Sequence, residues 1–458
     1  MKKTTFSLAL ATVAVAAQAI PEGVYLGDSQ NATVSNPNGR RVVRFNQSAE
    51  YQSDFIGPAQ STFLLPVSYA KGPSDSLLVA DRNNDNVQQF DASGSFVGNF
   101  ITGVDDPRGI TRMKDGTYLV CAGGPNQVLR YSASGTLIGT FANVTNCWHA
   151  LQLRNGDVMV STSTTYSGGN TPKIFRYSSS GILLGEPITG YAFSRQMHEA
   201  ANGNLLVAVF SLPLPGNPGP TTALYEFSPG ALPGTWNEVF AYELQGARGV
   251  TELSDGNLLG TAGTNVRKFT RNVATGTNVT GFGESATSSG WHNILNTNFP
   301  VPISYNLSLQ DWAGTVPPPL NVTLRVYDHA TQNGLDLYNA DATGENKHVV
   351  TTLRGNVDVY VTAQGHLTKK LAENVNLDDW GLTLPTFTLI GGDANGDNSV
   401  DLLDYFDLSD SYNLAEGDSG YNASADFNGD GSVDLLDYFI LSDSYNLTGD
   451  ELPPVPTN

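Results

Sequence analysis

The chain has 458 residues and carries 24 Lys and Arg against 44 Asp and Glu, a net charge of −20. So acidic a chain excludes nucleic acid and anionic membrane as default partners. Its length suits two or three domains rather than one core, and 48 glycines with only 15% charged residues point to many short strands joined by tight turns.

The first stretch, MKKTTFSLALATVAVAAQA, has Lys2 and Lys3, an apolar run from Phe6 to Ala17 and a small-residue box, Ala17-Gln18-Ala19. This pattern predicts a secretory signal over 1–19, a mature start at Ile20 and a secreted or surface-associated product. No later stretch is long and apolar enough for a membrane-spanning helix, which needs about 18 such residues.

From Glu22 to about Asn296 a repeat recurs. One half is a turn followed by an apolar strand: EGVYLG, DSLLVA, DGTYLV, NGDVMV, NGNLLV and DGNLLG. The other half ends on an aromatic anchor at Phe45, Phe90, Tyr131, Tyr177, Phe227 or Phe269. Period, DG or NG turns and strand alternation predict a six-bladed β-propeller over 20–297. The repeat resembles the NHL or TolB-like propellers. Blade one lacks an N-terminal inner strand, and SGWHNILN from Ser289 matches CWHALQLR from Cys147, so Trp291 to Asn296 is expected to return and complete it. Cys121 and Cys147 are either a disulfide or two buried thiols.

The strand before each DG turn carries Arg108, His149, His198, Arg248 and His292. Inner strands line a propeller's channel, and three readings of these residues stay open. His149, His198 and His292, with Glu199, would suit a metal. Arg108 and Arg248 would clamp an anionic sugar or a peptide carboxylate. Alternatively the residues only satisfy backbone groups and water. A catalytic use would make the propeller a lyase or hydrolase on polysaccharide, although HExxH and GxSxG signatures are absent. A binding use implies an extracellular carbohydrate or small-molecule ligand.

Past Asn298, Pro300, Pro302 and Pro317-Pro318-Pro319 break the composition. Over 298–390 the runs ISYNLSLQDW, NVTLRVYDH, HVVTTLRGNVDVYVTAQGHLTKK and LTLPTFTLI alternate at strand period, with turns expected at NGLD and ATGEN. They predict a small β-sandwich serving as a spacer. LRGNVDVYVTAQGHLTKK is similar to prealbumin-like or carboxypeptidase-regulatory-like sandwiches. Trp312 and Trp380 alone do not make an aromatic platform for carbohydrate.

After Lys370 there is no Lys or Arg, yet 18 Asp or Glu follow. Two acidic copies stand here, DANGDNSVDLLDYFDLSDSYN from Asp393 and DFNGDGSVDLLDYFILSDSYN from Asp426. Asp393, Asn395, Asp397, Asp401 and Asp404 in the first, and Asp426, Asn428, Asp430, Asp434 and Asp437 in the second, occupy positions 1, 3, 5, 9 and 12 of a calcium loop. Ser399 and Ser432 offer a position-7 carbonyl, and Asn398 and Gly431 make the turn at position 6. The spacing predicts two calcium ions, each loop leading into a helix. With Asp rather than Glu at position 12, the pair resembles a type I dockerin over 391–450, followed by a flexible tail at 451–458. That resemblance implies docking onto a cohesin-like domain. The sequence departs from the usual dockerin pattern in having Leu402-Leu403 and Leu435-Leu436 at positions 10 and 11, and Ser409-Asp410 and Ser442-Asp443 further on. A calcium-stabilised cap with no cohesin is the other reading of the tail.

Overall fold

The structure is a computed structural model, and it describes residues 19–28, 40–57, 60, 63–164, 171–210, 223–282, 290–312, 322–340 and 344–454. Nearly all of the expected leader therefore lies outside the described residues. Two compact units are present: Met1–Glu199 with Gly203–Asn298, and Phe299–Asn458 with Ala200–Asn202.

The first unit is built of six four-stranded antiparallel sheets. Their innermost strands are Pro66–Lys71, Pro107–Arg112, Cys147–Gln152, Ser194–Glu199, Ala247–Glu252 and Trp291–Asn296. Each lies beside the next and the last lies beside the first, so the ring is closed. Trp291–Asn296 pairs antiparallel with Val24–Asp28, with Val24 opposite Asn296, so the C-terminal strand completes the N-terminal blade. This is a six-bladed propeller.

Period-two alternation puts apolar side chains on both faces of each blade, where they meet the neighbouring blades. Leu119, Cys121 and Val128 of one blade share a cluster with Cys147, Val158 and Val160 of the next. Val24, Leu26, Phe45 and Trp291 of the completed first blade do the same with Leu253, Leu259 and Val266 of the last one. Each fully buried Leu, Val or Phe contributes about 1.5–3 kcal/mol. Both cysteines remain thiols inside the first of these clusters. Burial, then the Cys147 sulfur beside it, pushes the Cys121 thiol well up.

The outer hairpin turns DASG (91–94), SASG (132–135) and SSSG (178–181) each end on a glycine. Gly94, Gly135 and Gly181 have φ of 79°, 81° and 87°. A Cβ on Gly135 would also lie 2.2 Å from the Phe100 carbonyl oxygen of the preceding blade, and Gly181 meets Phe141 in the same way at 2.4 Å. The glycine therefore serves the turn and the blade contact together.

The second unit holds two further four-stranded sheets. One runs Gly344–Thr351, Val301–Leu309, then Leu382–Thr383 and Phe387–Leu389, the last two parallel to Val301–Leu309. The other runs Gly334–Ala340, Val322–Asp328, Gly355–Ala363, His366–Leu377. Val301, Ile303 and Leu307 of one sheet and Leu324, Val326, Val359 and Val361 of the other share a single core. Two details differ from the sequence-based expectation. The turn stands before NGLD, because Asp328 accepts from the Thr331 N–H (2.8 Å) and closes the chain there, so Gly334 already opens a strand. The long run from His348 breaks at Thr352–Arg354, since its halves belong to different sheets. The acidic tail adds the two helices α1 (Leu402–Asp410) and α2 (Leu435–Ser444).

Candidate functional sites: the tail loops and the channel mouth

Each acidic copy forms a loop ending on a helix start. Asp401 and Asp434 are the N-caps, accepting from Leu403 N–H (2.7 Å) and Leu436 N–H (2.8 Å). Three residues on, Asp404 and Asp437 accept from the N-cap amides, which completes a capping box in both helices. The same two carboxylates reach back across the loop, to Asn395 N–H at 3.1 Å and Asn428 N–H at 3.2 Å. At the loop entrance, Asp393 accepts from the Gly396 and Asn398 amides, and Asp426 from Asp430 and Gly431. Asn395 and Asn428 hold Asp397 and Asp430 through their amides at 3.0 Å.

The position-12 carboxylates are fully buried, and those at position 1 nearly so. Burial, then the nearby Asp404 and Asp397 charges, pushes Asp393 up to about 6 against the pull of two backbone amides. Burial likewise pushes Asp437 up to about 6 and raises Asp426. Tyr421, which the spacing argument did not single out, donates to Asp426 Oδ2 at 2.7 Å. Among the described residues no three His, Cys, Asp or Glu side chains gather into a ready metal cluster. Buried acid pushed toward neutrality, oxygen-only donors and no basic residue after Lys370 together fit a hard divalent cation.

The two copies are related by an internal two-fold. Ser399 bridges Thr448 and Ser432 bridges Ala415, so each loop pairs with the segment after the other helix. Val400, Leu408, Val433 and Leu441 form a shared core. The equivalent residues Tyr405 and Tyr438 touch, with ring centroids 6.3 Å apart. Around them Leu402, Leu403 and Phe406, and their counterparts Leu435, Leu436 and Phe439, are all more than half exposed. Asn398, at φ 69°, turns the first loop and binds the Thr368 amide and the Asp450 carbonyl. This side chain ties the loop to a strand of the adjoining sheet, a use that glycine could not serve. Trp312 packs on the sheet core, and its ring occupies the space a Cβ on Gly429 would need, so it is a packing residue.

In the propeller, every inner strand carries a bulge after its first residue. Arg108, Arg248 and His292 occupy the second place of their strands. His149 stands third and His198 fifth, so the five do not share one strand position as the sequence had suggested. The bulge and the varying reading frame are the cause. In the fifth blade the residue in second place is Arg195, three before His198.

His149 accepts from Met197 N–H through Nδ1 (3.4 Å), leaving Nε2–H to face Thr111 Oγ1 at 3.3 Å. Burial pushes its pKa down to about 4, so it is neutral and ties neighbouring strands. Gln196 performs the same task, accepting from the Val250 and Ile294 amides at 3.1 and 2.7 Å. His198 is pushed down to about 3 by burial and by Arg154 and Arg271; Glu199 beside it pairs with Arg154 and is raised by burial. His292 is held well below its ordinary range by burial, then by Arg248, Arg195 and Arg82.

Residues 391–444 match the dockerin type I domain family. No curated protein matches the chain. Among solved structures, the chain is similar to a putative gluconolactonase at 15% identity, covering 66% of this chain and 91% of that one with a TM-score of 0.41. A streptogramin B lyase is similar at 13% identity over 61% and 89%, with a TM-score of 0.39. A type II cohesin–X-dockerin complex from Acetivibrio cellulolyticus is similar at 20% identity over 33% and 97%, with a TM-score of 0.26. The propeller itself rests on the strand order above.

Proposed function

We propose that the dockerin type I domain at residues 391–444 docks this chain, once calcium is bound, onto a cohesin domain outside the cell, with the propeller as cargo. The modules on this reading are a leader at 1–19, the propeller at 20–297, a spacer at 298–390, the docking module at 391–450 and a tail at 451–458. One ion per loop would be held by Asp393, Asn395, Asp397, Asp401 and Asp404, and by Asp426, Asn428, Asp430, Asp434 and Asp437, with the Ser399 and Ser432 carbonyls. Bound calcium would neutralise the buried carboxylates and hold the helix starts in place.

The observation that carries the reading is the apolar face shared by α1 and α2. Leucines and phenylalanines repeated on two helices each leave about half of their surface exposed around the Tyr405–Tyr438 contact. Exposed apolar patches of this kind mark protein-binding surfaces. The test uses purified cohesin domains and the full chain, with calcium or with chelator. Calcium-dependent capture by at least one cohesin is expected. Calcium binding without capture by any type I or type II cohesin would favour the calcium-stabilised cap instead.

A further inference from the structure

The mouth of the propeller channel gathers arginines in a chain that is strongly acidic overall. Arg108, Arg195 and Arg248 come from the bulges of three inner strands, and Arg82 comes from the turn after Leu77–Asp81. They surround two aromatic rings. The Arg195 guanidinium carbon lies 3.4 Å from the centroid of Trp148 and 5.0 Å from that of Phe210. Arg82 and Arg108 stand 5.7 and 5.6 Å from Trp148, and Arg248 stands 5.0 Å from Phe210. Arg248 Nη1 faces His292 Nε2 at 3.4 Å.

The acids nearby serve the rim. Asp106 pairs with both Arg82 and Arg108, and its own amide donates to Asp85. Asp105 lies against Gly124. Arg195 has no carboxylate within ion-pair distance among the described residues, and its Nε is buried without a hydrogen-bond partner. A guanidinium flat on an indole spends its face on the ring and keeps its edge donors for a bidentate acceptor.

We propose that this mouth is an anion-binding site in which Arg195, seated on Trp148 and flanked by Arg82, Arg108 and Arg248, receives a carboxylate or sulfate group of an extracellular ligand. Burial, then the charges of Arg248, Arg82 and Arg108, lowers the Arg195 pKa to about 9, so the cluster repels itself and an anion relieves it. Low-dielectric walls concentrate such a field and draw anions in against the negative charge of the whole molecule. The site is independent of the docking module.

The test is calorimetric titration of the full chain, freed of calcium by passage over a chelating resin so that the calcium loops play no part and no soluble chelator competes, with trigalacturonate, dextran sulfate and neutral dextran. Binding of trigalacturonate, dextran sulfate or both is expected, neutral dextran staying unbound; the pattern tells carboxylate from sulfate. Arg195→Gln should weaken that binding at least tenfold without lowering the melting temperature, because it removes a repelled charge. Arg82→Gln, at the more exposed rim, should weaken it several-fold, whereas Arg267→Gln on an outer strand should change nothing. Failure of the wild type to bind either anionic probe, or equal losses in Arg195→Gln and Arg267→Gln, would overturn the site.

Discussion

A buried carboxylate is tolerable only when something repays its lost hydration, and the tail holds four of them. Asp404→Ala or Asp437→Ala removes the proposed last ligand of its loop together with half of a capping box. Each should weaken calcium binding at its loop by at least about tenfold, and calorimetry showing unchanged affinity in both would sink the ligand assignment. The same carboxylates set a pH dependence in the calcium-free form. Asp393 and Asp437 are held near 6 in the folded state against about 3.9 when unfolded. Folding therefore favours the protonated form. In chelator, the tail's stability should fall as pH rises from about 4 to about 6 and then level off; a melting temperature that climbs over that window would contradict the burial argument. The proposed ligands could be named from the sequence because a calcium loop is local, and twelve consecutive residues carry its spacing. Arg195 could not, because its importance comes from Trp148, Phe210 and three other arginines, none adjacent in sequence.

At the level of the element, the repeated turns make a prediction that separates strain from contact. Gly256 (φ 77°) has open space where a Cβ would go, whereas Gly135 (φ 81°) faces a carbonyl of the preceding blade. Gly256→Ala should cost about 1 kcal/mol from the positive φ alone, and Gly135→Ala about 1–3 kcal/mol more, because backbone must also shift. Thermal unfolding of both variants decides, and equal losses would mean the blade contact carries no weight. On the helices, changing Phe406 and Phe439 together to Ser should leave calcium affinity intact and abolish cohesin capture. Loss of calcium binding in that variant would place the rings in the fold rather than at a surface. Strand and turn positions were readable wherever hydrophobic alternation was regular. They slipped at the bulges, where one inserted residue shifts the reading frame, and in the two-sheet module, where a continuous β-rich run crosses from one sheet to the other.

For the propeller as a whole, closure is the decisive contact. Val24–Asp28 pairs with Arg41–Phe45 on one edge, and its inner edge is covered only because Trp291–Asn296 returns from the far end of the ring, where Gln196 accepts from the Ile294 amide. Ile294→Pro removes that amide and should destabilise the propeller by about 3 kcal/mol or more. Calorimetry should show the propeller transition falling while calcium affinity of the tail is unchanged; a parallel loss of calcium binding would mean that the loops depend on the propeller. The sequence by itself determined the six-fold repeat, the closing strand and the two acidic loops, because each is written as a periodic or local pattern that any folded form must respect. Only the tertiary structure decided that His149 is a structural tie, that Arg195 rather than a histidine stands at the centre of the channel mouth, and that the Leu and Phe repeats of the tail face outward. Those outcomes depend on which side chains the bulges and the two-fold bring together, and no spacing along the chain encodes that.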